Sequence, residues 1–244
     1  MRDGIGPAYR RILDEADRAA AAGRGTSGLL RVGYSAAFTG HLLVKIADAF
    51  AEVCPNVQIE IQEVPFYAIF GPLRAGEIDL QITEFPVEEE DLTVGPMLVS
   101  QPRSLLVASS HPFASRESVS LEDLADTRLV APNDRSPAYW LDYHYPHHTP
   151  SGRPIPCCGH VIATWEDALS LITADRGVSP VSAVGERYFN RSGLTFVPFS
   201  DAPPIEYLVL WPTNRETELV RTFARSAKAF VDAHGGPTRV VDTL

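Results

Sequence analysis

The sequence is short of sulfur, of positive charge and of long apolar runs, and each shortage closes off a class of protein. Cysteine occurs at three positions only, Cys54, Cys157 and Cys158. Two of these are adjacent, so no paired disulfide framework is available and a reduced, cytoplasmic setting is expected. Lys and Arg number 21 against 31 Asp and Glu, a formal charge of −10. Duplex DNA binders carry the opposite balance, so this chain alone is not expected to grip phosphate. No apolar run approaches the ~20 residues that span a bilayer, and no membrane partner is expected. The charged start, MRDGIGPAYRRILDEADRAA, lacks the apolar core of a secretory signal. What is present is a 244-residue chain, 45% hydrophobic, enough for one large or two small globular domains.

The most informative stretch is Leu29 to Cys54. A short apolar run, Leu29-Leu30-Arg31-Val32-Gly33-Tyr34, predicts one strand. Small or turn-tolerant residues follow (Ser35, Ala36, Ala37 and Gly40). Apolar residues then recur at Leu42, Leu43, Ile46, Phe50 and Val53, the spacing of a helix with one buried face. Cys54-Pro55 ends it, because proline disfavours helical backbone in the residue before it. A strand that feeds a helix through such a turn leaves free N–H groups at the positive end of the helix dipole, a place to hold a small polar or anionic ligand.

Pro7 to Ala22 reads as a helix stopped by Gly23, with Tyr9, Ile12, Leu13, Ala16, Ala19 and Ala20 along one stripe. The letters of Gly23 to Gly28 match the dinucleotide pattern G-x-G-x-x-G. They precede the first strand instead of following one, so a linker is expected. Val57, Ile59 and Ile61 alternate with polar residues, as do Ile78, Leu80 and Ile82, and Phe66 to Ala75 reads as a helix that Gly71-Pro72 must interrupt or shorten. Strands separated by helices imply parallel pairing, hence an α/β sheet. Glu88 to Asp91 reads as a solvated loop.

Met97 to Ser109 predicts a long strand bent near Ser100–Arg103. A second unit follows, with a helix cap at Ser120-x-x-Asp123, a short strand at Thr127–Ala131 and a short helix near Tyr139–Tyr143. Val161-Ile162 reads as a strand end and Thr164-x-x-Asp167 as a cap for a helix to about Ala174. Further strands are expected at Gly177–Val181 and Leu194–Phe199, with a helix around Ala183–Phe189 between them. Ala202-Pro203-Pro204 reads as a return crossing. The strand Ile205–Trp211 and the helix Glu216–Ala233 then rejoin the first unit. Two α/β lobes joined by two crossings leave a cleft between them.

Two other chemistries have candidate residues in the sequence. Gly33-Tyr34-Ser35-Ala36-Ala37 comes close to the G-x-S-x-G elbow of α/β serine hydrolases, with His234 placed where a base would follow. That elbow belongs after several strands have built a sheet, and here it follows the first, so Ser35 reads as a turn residue and the chain as no enzyme. His144, His147, His148, Cys157, Cys158 and His160 are the densest group of potential metal ligands. Only His144-x₃-His148 has zinc spacing, so a polar loop, no metal and no cofactor are expected. Tyr139 and Trp140 read equally as core or as one wall of the cleft.

The segments L-L-R-V-G-Y at 29–34, L-R-A-G-E-I-D-L at 73–80, V-S-L-E-D-L-A-D at 119–126 and D-R-G-V-S-P-V at 175–181 occur at regular spacing. Together they resemble the effector-binding half of a LysR-type transcriptional regulator over about Gly28 to Ala233. The resemblance implies two Rossmann-like lobes similar to type II periplasmic binding proteins. Residues 28–101 and 203–244 would form the first lobe, residues 102–202 the second, and residues 1–27 the tail of a dimerising linker helix. It implies a small-molecule effector in the cleft, a homodimer or tetramer, and DNA contact only through a winged helix-turn-helix that this sequence lacks. The family's effector-contacting positions fall on the turn Ser35–Thr39 (Ser35, Ala36, Ala37 and Thr39 among them), on Phe66 and Glu84, and near Thr164, Pro180 and Val181, and Tyr34 and Trp140 join them as candidate effector contacts. Where many members have Ser or Thr, this chain has Ala37 and Phe66, and Glu84 stands at a position often polar or cationic. A solute-binding protein of the same fold is the other reading that the resemblance leaves open.

Overall fold

The computed structural model describes residues 27–64, 68–132, 136–160, 162, 164–189 and 191–244. The linker helix expected over Pro7–Ala22, most of the glycine-rich linker after it, and Phe66 lie outside the described residues. Ser27 and Gly28, assigned to that linker from sequence, already belong to the first strand.

Strand β1 (Ser27–Tyr34) enters helix α1 (Ala37–Val53) through Ser35 and Ala36. One face of α1 is buried at Phe38, Leu42, Leu43, Ile46 and Phe50. Strands β2 (Asn56–Glu63) and β3 (Leu80–Glu84) flank β1 and run parallel to it. Gly33 is what allows this packing, since a Cβ there would stand 2.5 Å from Ile78 Cδ1 and 2.7 Å from Val64 Cγ2. The residues 73–80 are structural. Leu73, Ile78 and Leu80 are buried, and Asp79 accepts a hydrogen bond from the Arg31 backbone at 2.8 Å, tying β3 to β1. Helix α2 is confined to Gly71–Ala75 because Pro72 fits only a helix's first turn, so the longer helix expected from Phe66 does not form.

Strands β4 (Leu92–Gln101) and β8 (Ile205–Pro212) complete the first sheet, in the order β2-β1-β3-β8-β4 with β8 antiparallel to both neighbours. Pro102 interrupts the chain, and β5 (Arg103–Ala108) continues into a second sheet with β6 (Ser179–Ser182) and β7 (Leu194–Pro198), order β6-β5-β7, antiparallel. Helices α3 (Ala138–His144) and α4 (Trp165–Thr173) belong to this second lobe, and α5 (Glu218–Ala233) packs on the first. The Thr164 hydroxyl accepts from the Asp167 N–H at 3.2 Å while Asp167 accepts from the Thr164 N–H at 2.9 Å, the reciprocal cap its spacing predicts.

Several local expectations fail for want of partners. Thr127–Ala131 forms isolated bridges at Leu129 and no strand, Ile162 pairs with nothing as a strand, and residues 183–187 wind as a 3-10 turn. The loop at 88–91 is not simply solvated. Arg74 binds both Glu89 and Asp91, and Glu89 accepts from the Tyr139 hydroxyl at 2.8 Å, an inter-lobe contact.

Candidate ligand cleft

The turn after β1, the end of β3 and the start of β8 form the floor of a cavity of about 620 Å³, with α3, α4 and β6 opposite. That volume suits a small organic molecule. Of the positions singled out from sequence, Ser35, Ala36, Ala37, Glu84, Trp140, Thr164, Pro180 and Val181 line it. Two do not. The Thr39 hydroxyl turns inward, donating to the Ala36 carbonyl at 2.7 Å and accepting from the Ala36 N–H at 3.2 Å, so it fixes the helix start. Tyr34 packs over Gly40, whose missing side chain leaves room for the ring.

Glu84 is the electrostatic centre of the floor. Its Oε2 accepts from the Ser35 hydroxyl at 2.9 Å and from the Thr83 hydroxyl at 3.4 Å, and Tyr207 stands close to the same carboxylate. Burial raises its pKa, against the lowering effect of those bonds. No ion pair reaches Glu84 among the described residues. The sequence placed Glu84 here but not Tyr207, because β8 returns to the first sheet only after the whole second lobe.

The opposite wall is aromatic. Trp140, 3% exposed, is both core and wall, with its ring centroid 4.4 Å from that of His144. His144 was grouped from sequence with possible metal ligands, yet its Nε2 sits 3.0 Å from the Phe85 carbonyl. Burial first, then the nearby Arg103 charge, push its pKa down to about 3, so it is neutral at pH 7. His147 and His160 are exposed, and no three His, Cys, Asp or Glu side chains converge among the described residues. Arg103 stands behind the wall, 4% exposed. Its Nη1 donates to the Tyr143 carbonyl at 3.2 Å, while Nε and Nη2 are buried with no partner among the described residues. Phe38, Trp165 and Phe189 add further apolar surface to the cleft.

The hydrolase chemistry finds no histidine paired with Ser35 among the described residues. Ser35 donates to Glu84, and His234 caps α5, its Nδ1 2.7 Å from the Phe230 carbonyl, outside the cleft lining.

Two α/β lobes with two crossings and a ligand-sized cleft between them define a binding protein of the type II periplasmic class. Its family is the LysR substrate binding domain, which matches residues 23–232, and the chain belongs to it. This domain is the effector-binding, regulatory part of LysR-type transcription regulators. The HTH-type transcriptional regulator AlsR of Bacillus subtilis (strain 168) is 25% identical over 171 residues, covering 68% of this chain and 55% of that protein. The DNA-binding transcriptional dual regulator OxyR of Escherichia coli (strain K12) is 27% identical over 112 residues, 46% of this chain and 36% of that one. The chain therefore spans about half or less of the length of these curated relatives.

Among solved structures, the effector-binding domain of QuiR in complex with shikimate superposes with TM-score 0.69 at 18% identity, covering 85% of this chain and 99% of that one. The BenM effector-binding domain with its effector benzoate superposes with TM-score 0.62 at 22% identity, covering 85% and 93%. At such identities the likeness is one of fold. No helix among the described residues is long and apolar enough to cross a membrane.

Proposed function

We propose that this chain is the effector-binding and oligomerisation domain of a cytoplasmic LysR-type transcriptional regulator, with no catalytic activity of its own. In this reading residues 28–101 with 203–244 act as one lobe and 102–202 as the other. Residues 1–27 belong to the linker helix, and DNA is contacted through a winged helix-turn-helix joined to it. The observation that carries the reading is the cleft floor, where Ser35 at the helix start and Glu84 at the end of β3 meet at 2.9 Å beneath an apolar, ligand-sized cavity.

The helix geometry leaves the N–H groups of Ala37 and Phe38 without intrahelical acceptors, so they favour an acceptor group on the ligand. Glu84 favours a donor. A ligand bound between the lobes stabilises one lobe arrangement and so changes how the linker helices present the DNA-binding heads. The chain is a homodimer or tetramer in this reading, and acidic enough that it binds no DNA alone.

Differential scanning fluorimetry against a metabolite panel tests the proposal, since a ligand specific to the native state raises stability by RT ln(1 + [L]/Kd). Sedimentation at tens of micromolar tests the assembly, where a monomer would refute it. Sequence-specific duplex binding by the isolated chain would contradict the division of labour.

A further inference from the structure

We propose that the cleft selects an organic cation, an amine carried on an apolar body, with its N–H donors seated on Glu84. This rests on the cleft being the effector site. Among the described residues its lining holds three carboxylates, Glu63, Glu84 and Glu166, and no Lys or Arg. The three differ in what they have to offer. Glu166 is exposed at the rim and already ion-paired to Arg191 at 2.7 Å. Glu63 is exposed at the other rim, where its charge is screened by water. Glu84 alone combines a carboxyl group with a sheltered position.

Hydroxyls are its partners, and they satisfy a carboxylate only in part. Ser35 and Thr83 both donate to Oε2, which leaves acceptor sites on the same group. No positive charge among the described wall residues competes for it. His144 is neutral at pH 7, and Arg103 is turned away onto the Tyr143 carbonyl and ring, outside the lining. A ligand ammonium would supply the charge that Glu84 lacks. A ligand carboxylate would meet Glu84 with no basic side chain among the described lining residues to offset the repulsion.

The walls agree with this. Phe38, Trp140, Trp165, Phe189 and Tyr207 give an apolar body its contact area and give a cation ring faces to lie against. The effector-binding domains solved with shikimate and with benzoate hold acids in the same fold, and an amine here would carry the opposite charge on a similar apolar frame.

The test is calorimetric titration of the purified chain with three matched probes: phenethylamine, 3-phenylpropionate and 2-phenylethanol. The amine is expected to bind roughly tenfold or more tighter than the acid, and Glu84→Gln to erase that preference. Glu84→Asp, which keeps the charge, should retain it, and thermal melts establish that both variants fold. The proposal is overturned if the acid or the alcohol binds at least as tightly as the amine, which leaves the effector reading intact. It is also overturned if the amine binds Glu84→Gln as well as it binds wild type. Should none of the three bind at millimolar concentration, the proposal falls and the cleft reading loses its support with it.

Discussion

The Ser35 hydroxyl donates to Glu84 Oε2 at 2.9 Å, joining the turn after the first strand to the end of the third across 49 positions of sequence. One bond therefore holds together the two features a ligand would meet first, the open helix start and the carboxylate. Removing the hydroxyl should loosen the carboxylate without unfolding the chain. Ser35→Ala is expected to cost about 1 kcal/mol of stability or less and to weaken whatever ligand seats on Glu84. Urea unfolding and titration in parallel check it, and unchanged affinity would mean that Ser35 does not position Glu84.

Ala37 is exposed at the first turn of α1 and lines the cavity. Ala37→Trp should fill the cleft mouth and abolish ligand-induced thermal stabilisation, while leaving the unliganded melt within about 0.5 kcal/mol of wild type. A Trp variant that binds normally would move the ligand site elsewhere.

His144 makes acid stability a readout of burial. Its folded pKa is depressed from 6.5 to about 3. The unfolded chain thus takes up a proton that the folded one refuses. This contribution is fully present above pH 6.5 and is lost as pH falls toward 3, at up to about 1.4 kcal/mol per pH unit. Asp91 and Asp123, whose pKa values are lowered, also lose stability in acid, and Glu84 runs the other way. The difference between wild type and His144→Gln isolates the histidine. The variant should show the flatter denaturation profile over that window, and parallel profiles would refute the assignment.

Gly33 tests the packing under the site. Gly33→Ala should destabilise the chain by about 1–3 kcal/mol through overpacking against Ile78 and Val64. Ile78→Val removes the atom 2.5 Å from the new Cβ. The double variant should therefore be more stable than the sum of the two single losses implies. Strict additivity in urea midpoints would show that the clash lies elsewhere.

Much of the fold was legible because local pattern and tertiary pairing agree. The alternation at Leu80 and Ile82, the stripe at Val220, Phe223, Ala227 and Val231, and the reciprocal cap at Thr164 and Asp167 each need only near neighbours. Residues that pair across long separations were less visible. Leu129 finds its bridges at Cys157 and Val178, and Ile162 finds none, although both looked like strand from sequence. In the cleft the same division holds. Ser35, Ala37 and Glu84 follow from the first βαβ unit, whereas Tyr207, Phe38 and His144 enter through faces and returns that periodicity does not assign. Val240 and Val241, buried by a final 3-10 turn, carried no sequence signal beyond two adjacent valines.

One hydrophobic cluster passes without a break from Val64, Phe70, Leu73 and Leu210 of the first lobe to Leu105, Val107, Trp140 and Tyr145 of the second. On its flank the Tyr139 hydroxyl reaches Glu89, and on the far side the Tyr188 ring lies tilted beside Phe38 and its hydroxyl meets His41 at 3.0 Å. Shared apolar contacts of this kind couple the melting of one half to the melting of the other. The chain is therefore expected to denature as a single cooperative unit. An event at the cleft floor is felt as a change in the free energy of the whole, and a scanning calorimeter should record one endotherm where two separable lobes would give two.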